Sequence, residues 1–468
     1  MTTAVLAGAT TGSQPIASAL DALANPQSSA MPQNATTTGS NRLMPDGIPP
    51  PAAQVPVMHR SLAALAVSAS LLATALPAAT LASPSAGPNG PAFYVPPSPL
   101  APGRHGDVIW ARPLTTGAAL PHAAENWVVL YHTTSVDGRD TAVSGTVAIP
   151  SGPMPADGWP VISWAHGTTG DGPSCTPSLD DAAGPEHWYL GPVNALLDSY
   201  VQHGFAVVQT DYEGQGTPGV HPYLVGVAEG RDVVDMVRAA RGVNPRIGRR
   251  FVVAGHSQGG QSALFAASLA PSWTPELTVL GGVAMAPASH LGPWLRGLTT
   301  REEQYPGLGF AALMIRGYAS IDPAIRPDRL LSDAAAPLQL QLTDRCVLGL
   351  IKPDSWAGLP PAKAFRAGAD IAPLIRQADA NEPGSLPYSV PLLMLQGTAD
   401  TTVAPASTDL VRAELCAKQA TLTYRALPGA THNGMLPDAF AAAQPWIDAR
   451  FAGTAATSNC ADAVKAAP

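Results

Sequence analysis

The chain has 468 residues, 46% of them hydrophobic, which suits one large domain with an insertion or two domains. Its net charge of −8 and its lack of basic runs argue against a nucleic-acid partner. None of its four cysteines has CxxC or CxxH spacing and no HExxH occurs, so no zinc site is expected.

Residues 1–57 carry only Asp21, Arg42 and Asp46 as charges and are rich in Ala, Thr, Ser, Pro and Gln without sustained periodicity, as disordered segments are. Met58-His59-Arg60 then opens an apolar run from Leu62 to Leu76, closed by Pro77 and followed by the small residues around Ala82. That is the layout of a signal peptide over 58–82, with Met58 as the true start and 1–57 an over-extended gene prediction. The alternative, a membrane anchor, would ordinarily need a longer run. Secretion or periplasmic export follows as an expectation. Behind an export signal, Cys175, Cys346, Cys416 and Cys460 suggest two disulfides in one of three connectivities, with buried free thiols as the alternative.

Residues 83–104 read as an extended Pro-rich leader. Strands are expected at Trp127–Tyr131, Ala142–Ile149, Trp159–Trp164, Phe205–Thr210, Arg250–Ala254, Leu277–Met285, Val390–Leu395 and Leu422–Leu427. Helices are expected at about Val227–Arg241, Gly260–Leu269, Pro405–Lys418 and Pro437–Phe451. Strands alternating with helices imply an α/β fold, a mostly parallel sheet covered on both faces, with ligands at the strands' carboxyl ends. Residues 290–389 hold helical patterns and Pro-rich loops but no convincing strand. They read as a helical cap inserted into a core of 105–289 and 390–455, placed to form and gate an acyl pocket.

The strand Arg250–Ala254 runs into Gly255-His256-Ser257-Gln258-Gly259, and a helix follows. Strand, G-x-S-x-G and helix together describe a nucleophile elbow that presents Ser257 above the sheet edge. A serine hydroxyl needs a base within hydrogen-bond reach, and the base needs a partner that fixes its tautomer. In this architecture the acid and then the histidine follow the serine. Asp400 sits just past the Leu392–Leu395 strand, and His432 is the only histidine after it. Asp409 and Asp438 are rival acids, but both fall in expected helices. Asp400 also has a helix-capping alternative. His256 reads as packing and His166 as ordering its own loop, neither as a base. The oxyanion hole is expected from the Gln258 N–H and from the loop after the third strand, with Thr168 favoured, Gly167 as neighbour and Thr169 assisting.

Ala165-His166-Gly167-Thr168-Thr169-Gly170, Asp211-Tyr212-Glu213-Gly214 and Asp235-Met236-Val237-Arg238-Ala239-Ala240 together resemble the secretory lipase family of α/β-hydrolases. The resemblance covers about residues 95–455. It implies a secreted serine carboxylesterase or lipase of EC class 3.1.1, a helical cap and no cofactor. Substrates would be small-molecule or lipid esters, with transient contact between the cap and a lipid interface. It also implies disulfides Cys175–Cys346 and Cys416–Cys460. The elbow departs from the family's fungal members at His256 and Gln258, which leaves chain-length preference open. The rivals are a secreted serine peptidase on the same fold and a non-catalytic binding protein that retains it. A dehalogenase would need Asp at the elbow.

Overall fold

The computed structural model describes residues 84–461. The disordered segment and the signal peptide expected over 1–82 lie outside the described residues. Among the described residues, no helix is long and apolar enough to cross a membrane.

The sheet is built from nine strands: β1 (Val108–Pro113), β2 (Ala123–Thr134), β3 (Asp140–Pro150), β4 (Trp159–Ala165), β5 (Ala206–Thr210), β6 (Ile247–His256), β7 (Thr278–Met285), β8 (Leu392–Gly397) and β9 (Leu422–Leu427). Their order is β1-β2-β3-β5-β4-β6-β7-β8-β9. Pairings from β1 to β5 through β3 are antiparallel, and those from β5 through β4 to β9 are parallel. The helices around it are α1 (His187–Gln202), α2 (Gly226–Val243), α3 (Gln258–Trp273), α4 (Leu291–Leu298), α5 (Gly307–Ile321), α6 (Ala372–Ala380), α7 (Pro405–Ala417) and α8 (Leu436–Phe451), with single-turn helices between several of them. This is the mostly parallel α/β sheet expected from the alternation, in the α/β-hydrolase layout that the resemblance implies.

Side chains leave a strand on alternate faces, and the core follows that period. Val161, Phe251, Val253, Leu392 and Met394 join one buried cluster with α2, α3 and α7. Ile162, Trp164, Val252, Ala254, Leu393 and Leu395 join the opposite one with α1 and α8. Strands buried on both faces read as continuous apolar runs, which is why the central ones were legible.

Two elements escape the sequence reading. β1 is a short edge strand ending in Pro113, tolerated there because an edge residue need not donate. Helix α1 contains Gly191 and Pro192, which break its helical text, yet its Tyr189, Leu190, Val193, Leu197 and Tyr200 are buried. The segment 83–104 is more than an extended leader: it forms a single helical turn, Gly90–Tyr94, that buries Phe93 and Tyr94 against Leu130 and Val128.

Residues 290–389 contain no strand, only an isolated bridge between Leu331 and Phe365. Helices α4, α5 and α6 bury Leu295, Leu313, Met314 and Leu374 in a third cluster, which also takes in Tyr223, Leu224 and Val225 from before α2. Disulfides join Cys175 to Cys346 and Cys416 to Cys460, the pairing the resemblance implies. The first ties the loop after β4 to the inserted segment, and the second ties the end of α7 to the chain's last described turn.

The elbow demands close approach of backbone to backbone. A methyl on Gly259 would lie 1.9 Å from the Ala165 carbonyl oxygen. We expect Gly259→Ala to lower the unfolding free energy by about 3 kcal/mol; an unchanged midpoint in denaturant would contradict this packing. Replacing Cys416 and Cys460 together by alanine should cost about 2–4 kcal/mol in the same measurement.

Candidate active site

The expected residues converge at the carboxyl ends of the parallel strands. Ser257 follows β6 with φ 62° and ψ −121°, a left-handed backbone that a non-glycine residue adopts only when its surroundings impose it. Here the Ser257 N–H donates to the Met285 carbonyl at 2.9 Å, and the Ser257 carbonyl accepts from the N–H groups of Gly260 and Ala288. Ser257 Oγ lies 2.9 Å from His432 Nε2, and His432 Nδ1 lies 2.7 Å from Asp400 Oδ2. Asp400 Oδ1 accepts the N–H groups of Thr402 and Val403 at 2.8 and 2.9 Å. The carboxylate is therefore fixed before it meets the imidazole. Asp409, the rival acid, lies within α7, and Asp438 within α8.

Of the residues expected at the oxyanion hole, Gln258 and Thr168 have backbone N–H groups without a partner among the described residues. Gly167 differs: its N–H donates to Tyr189 Oη at 2.7 Å, so its amide is committed elsewhere. What Gly167 supplies is space, since a methyl there would lie 2.5 Å from the same hydroxyl. His166 Nδ1 donates to the Gly167 carbonyl at 2.7 Å. That carbonyl and the Thr168 N–H belong to one planar peptide, so holding the first aims the second. Burial pushes the His166 imidazole down to about 4, which keeps it a neutral donor. Thr169 is held by its carbonyl, which accepts the Val347 N–H at 2.8 Å, and by its hydroxyl, which accepts from Gln215 Nε2 at 2.5 Å.

Three further groups went unread in the sequence. The side-chain amide of Gln258 donates to His221 Nε2 at 3.0 Å and to Glu229 Oε1 at 2.8 Å. His221 Nδ1 donates to the Glu213 carbonyl, and burial holds its imidazole down at about 3. Glu229, fully buried in α2, carries a signal in retrospect: with Asp232 and Asp235 it is one of three acids set among the Val, Ala and Met residues that α2 buries. His256 does pack, with its ring centroid 4.5 Å from that of His432, but it also hydrogen-bonds the His432 carbonyl through Nε2 at 3.0 Å. Among the described residues, His290, Glu382 and Glu414 bring potential metal-ligating atoms within 4.8 Å of one another. They are engaged with each other, His290 Nε2 lying 3.2 Å from Glu414 Oε1.

A model of the secretory lipase family matches residues 193–459. Lipase A of Moesziomyces aphidis is 29% identical over 246 residues, a match that spans 50% of this chain and only 50% of that protein. A probable inactive lipase of Mycobacterium tuberculosis is 24% identical over 388 residues, covering 80% of this chain and 84% of its own. Among solved structures, Candida antarctica lipase A superposes with a TM-score of 0.66 at 22% identity, covering 80% of this chain and 89% of that one, and so shares the fold. With more than half its length matched by the family's own model, the chain belongs to the secretory lipase family.

Proposed function

We propose that the protein is a secreted serine carboxylic-ester hydrolase acting on acylglycerol-like or other acyl esters. The observation that carries this reading is the unbroken line from Ser257 Oγ through His432 to Asp400, at 2.9 and 2.7 Å, on one rim of the sheet. A relative named as a probable inactive lipase raises the alternative of a retained fold without chemistry. Here all three side chains are present and in contact, which favours chemistry. Family membership and the composition of residues 58–82 support export, and residues 290–389 would act as a cap over the acyl site that meets lipid surfaces.

In this reading His432 Nε2 takes the Ser257 proton as Oγ attacks the ester carbonyl. The carbonyl oxygen becomes an alkoxide, held by the N–H groups of Gln258 and Thr168. His432 then protonates the leaving alkoxide, and the alcohol departs from an acyl-Ser257 intermediate. Water attacks that acyl group, gives its proton to His432, and Ser257 recovers it as the acid leaves. Asp400 holds the imidazole in its Nδ1–H tautomer and supports its cation.

Glu229 bears on the same oxyanion. An ionised carboxylate one side chain from the Gln258 N–H would oppose negative charge on the substrate. Burial pushes the Glu229 carboxyl up to about 7. The neutral form satisfies every contact: Oε1 accepts from the Leu224 N–H and from Gln258, while Oε2–H donates to Ser262 Oγ, which donates onward to the Gln258 carbonyl.

Hydrolysis of p-nitrophenyl esters from acetyl to palmitoyl tests the reading. Ser257→Ala should lose about 10⁴–10⁶-fold in kcat, and a variant as active as wild type would end the assignment of the nucleophile. Asp400→Asn should lose on the order of 10⁴-fold while binding substrate comparably. For Glu229, the folded-state pKa lies above the unfolded one. Its stabilisation is complete below about 4.5 and is lost as pH rises through about 7. Glu229→Gln keeps the hydrogen bonds without titrating. The variant's unfolding free energy should therefore gain a few kcal/mol on wild type between those pH values, and a difference that stays constant with pH would contradict the neutral carboxyl.

A further inference from the structure

We propose that Tyr189 and His256 are positioning residues that hold the oxyanion loop and the base in one frame. The proposal rests on the triad reading above. The two halves of the site arise from distant strands. The oxyanion loop follows β4, and His432 follows β9, four places along the sheet, which is about 19 Å at roughly 4.8 Å per strand. The loops lean together over the end of β6, where a methyl on Gly167 would lie 3.1 Å from the His256 carbonyl oxygen, and a largely buried line of hydrogen bonds joins them there. The Gly167 N–H donates to Tyr189 Oη at 2.7 Å, Tyr189 Oη lies 3.2 Å from His256 Nδ1, and His256 Nε2 lies 3.0 Å from the His432 carbonyl.

The protons along this line have one consistent arrangement. Tyr189 Oη accepts the amide, so its own hydrogen goes to His256 Nδ1. An Nδ1 that accepts leaves the ring hydrogen on Nε2, which is the donor the His432 carbonyl requires. Burial, with the nearby His432 ring adding to it, drives the His256 pKa well below its ordinary value, so the ring keeps this neutral form. Tyr189 is 3% exposed and His256 0%, so water does not substitute for either joint. The line therefore ends on the backbone of the base at one side. At the other it ends on the residue whose next peptide carries the Thr168 N–H. Neither residue touches the substrate in this account; each acts through a group that does.

Displacing reacting groups by about 1 Å costs about 10²-fold in rate. Cutting the line should act on the chemical step, not on binding. We expect Tyr189→Phe, and separately His256→Leu, to lower kcat for a short-chain p-nitrophenyl ester by about 10–100-fold, with KM within about twofold of wild type. Once one joint is open, the other does nothing, so the double variant should lose no more than the worse single one. His256→Gln keeps an N–H near the His432 carbonyl and should recover most of the loss. Tyr189→Phe removes a single hydroxyl and keeps the experiment decisive if His256→Leu does not fold. Near-ultraviolet circular dichroism and thermal unfolding identify the folded variants. A folded Tyr189→Phe with wild-type kcat and only a lower melting temperature overturns the proposal, as do single losses that multiply in the double variant. Phosphonylation by diethyl p-nitrophenyl phosphate separates this from the broader reading. If Ser257→Ala still reacts and hydrolyses ester, the triad itself is wrong. If Ser257→Ala is inert while the bridge variants keep full activity, only the bridge is wrong.

Discussion

One residue held in an unfavourable backbone conformation is the constraint on which the site depends. Ser257 sits at φ 62° between a strand and a helix, a conformation that costs a non-glycine residue about 1–3 kcal/mol. The surroundings over-determine it. Its N–H is bonded to the last residue of β7, and its carbonyl to Ala288 just beyond that strand. Gly255 and Gly259 let strand, helix and the Ala165 carbonyl approach more closely than any side chain would permit. The result is a hydroxyl standing clear of the sheet, above the N-terminus of α3, where the Gln258 N–H, without a partner among the described residues, and the helix dipole both favour negative charge.

Around that fixed point the site is assembled by loops, and each loop is tied down by buried polar contacts instead of by packing alone. The loop after β4 is held by His166, Gln215, Tyr189 and Tyr223, the last through a 2.6 Å contact between its hydroxyl and that of Thr168. The inserted segment joins in through Cys346 and through the Val347 and Leu348 N–H groups, bonded to the Thr169 carbonyl and to Glu186 Oε1. The inserted segment and the loop after β4 are thus tied together at residues 346–348.

The reach of the sequence reading follows from which forces leave a mark in text. Buried parallel strands leave uninterrupted apolar runs, so β8 was read within a couple of residues, while β9, a partly exposed edge strand, was read with the bounds it has. Asp400 and His432 were legible because chain order in this architecture is fixed and only one histidine follows that aspartate. Helix α1 was missed because Gly191 and Pro192 contradict a helix locally, while its burial against the sheet overrides them. Tyr189 went with it. Gly167, expected at the oxyanion hole as the neighbour of Thr168, has an amide whose partner lies 22 residues away, on that unread helix. Long-range hydrogen bonds of this kind have no periodicity to betray them.

The histidines show how one residue type is given two kinds of work. His166, His221 and His256 are each fully enclosed, and burial lowers all three below their ordinary value. A neutral imidazole with one committed acceptor has a single tautomer, so each becomes a rigid strut donating from a known nitrogen: Nδ1 in His166 and His221, Nε2 in His256. His432 differs in two respects. Its side chain is 11% exposed, and alone among the four it donates Nδ1–H to a carboxylate. Those are the features an imidazole needs to accept a proton and give it back, because the cation that forms is both partly solvated and opposed by a fixed negative charge.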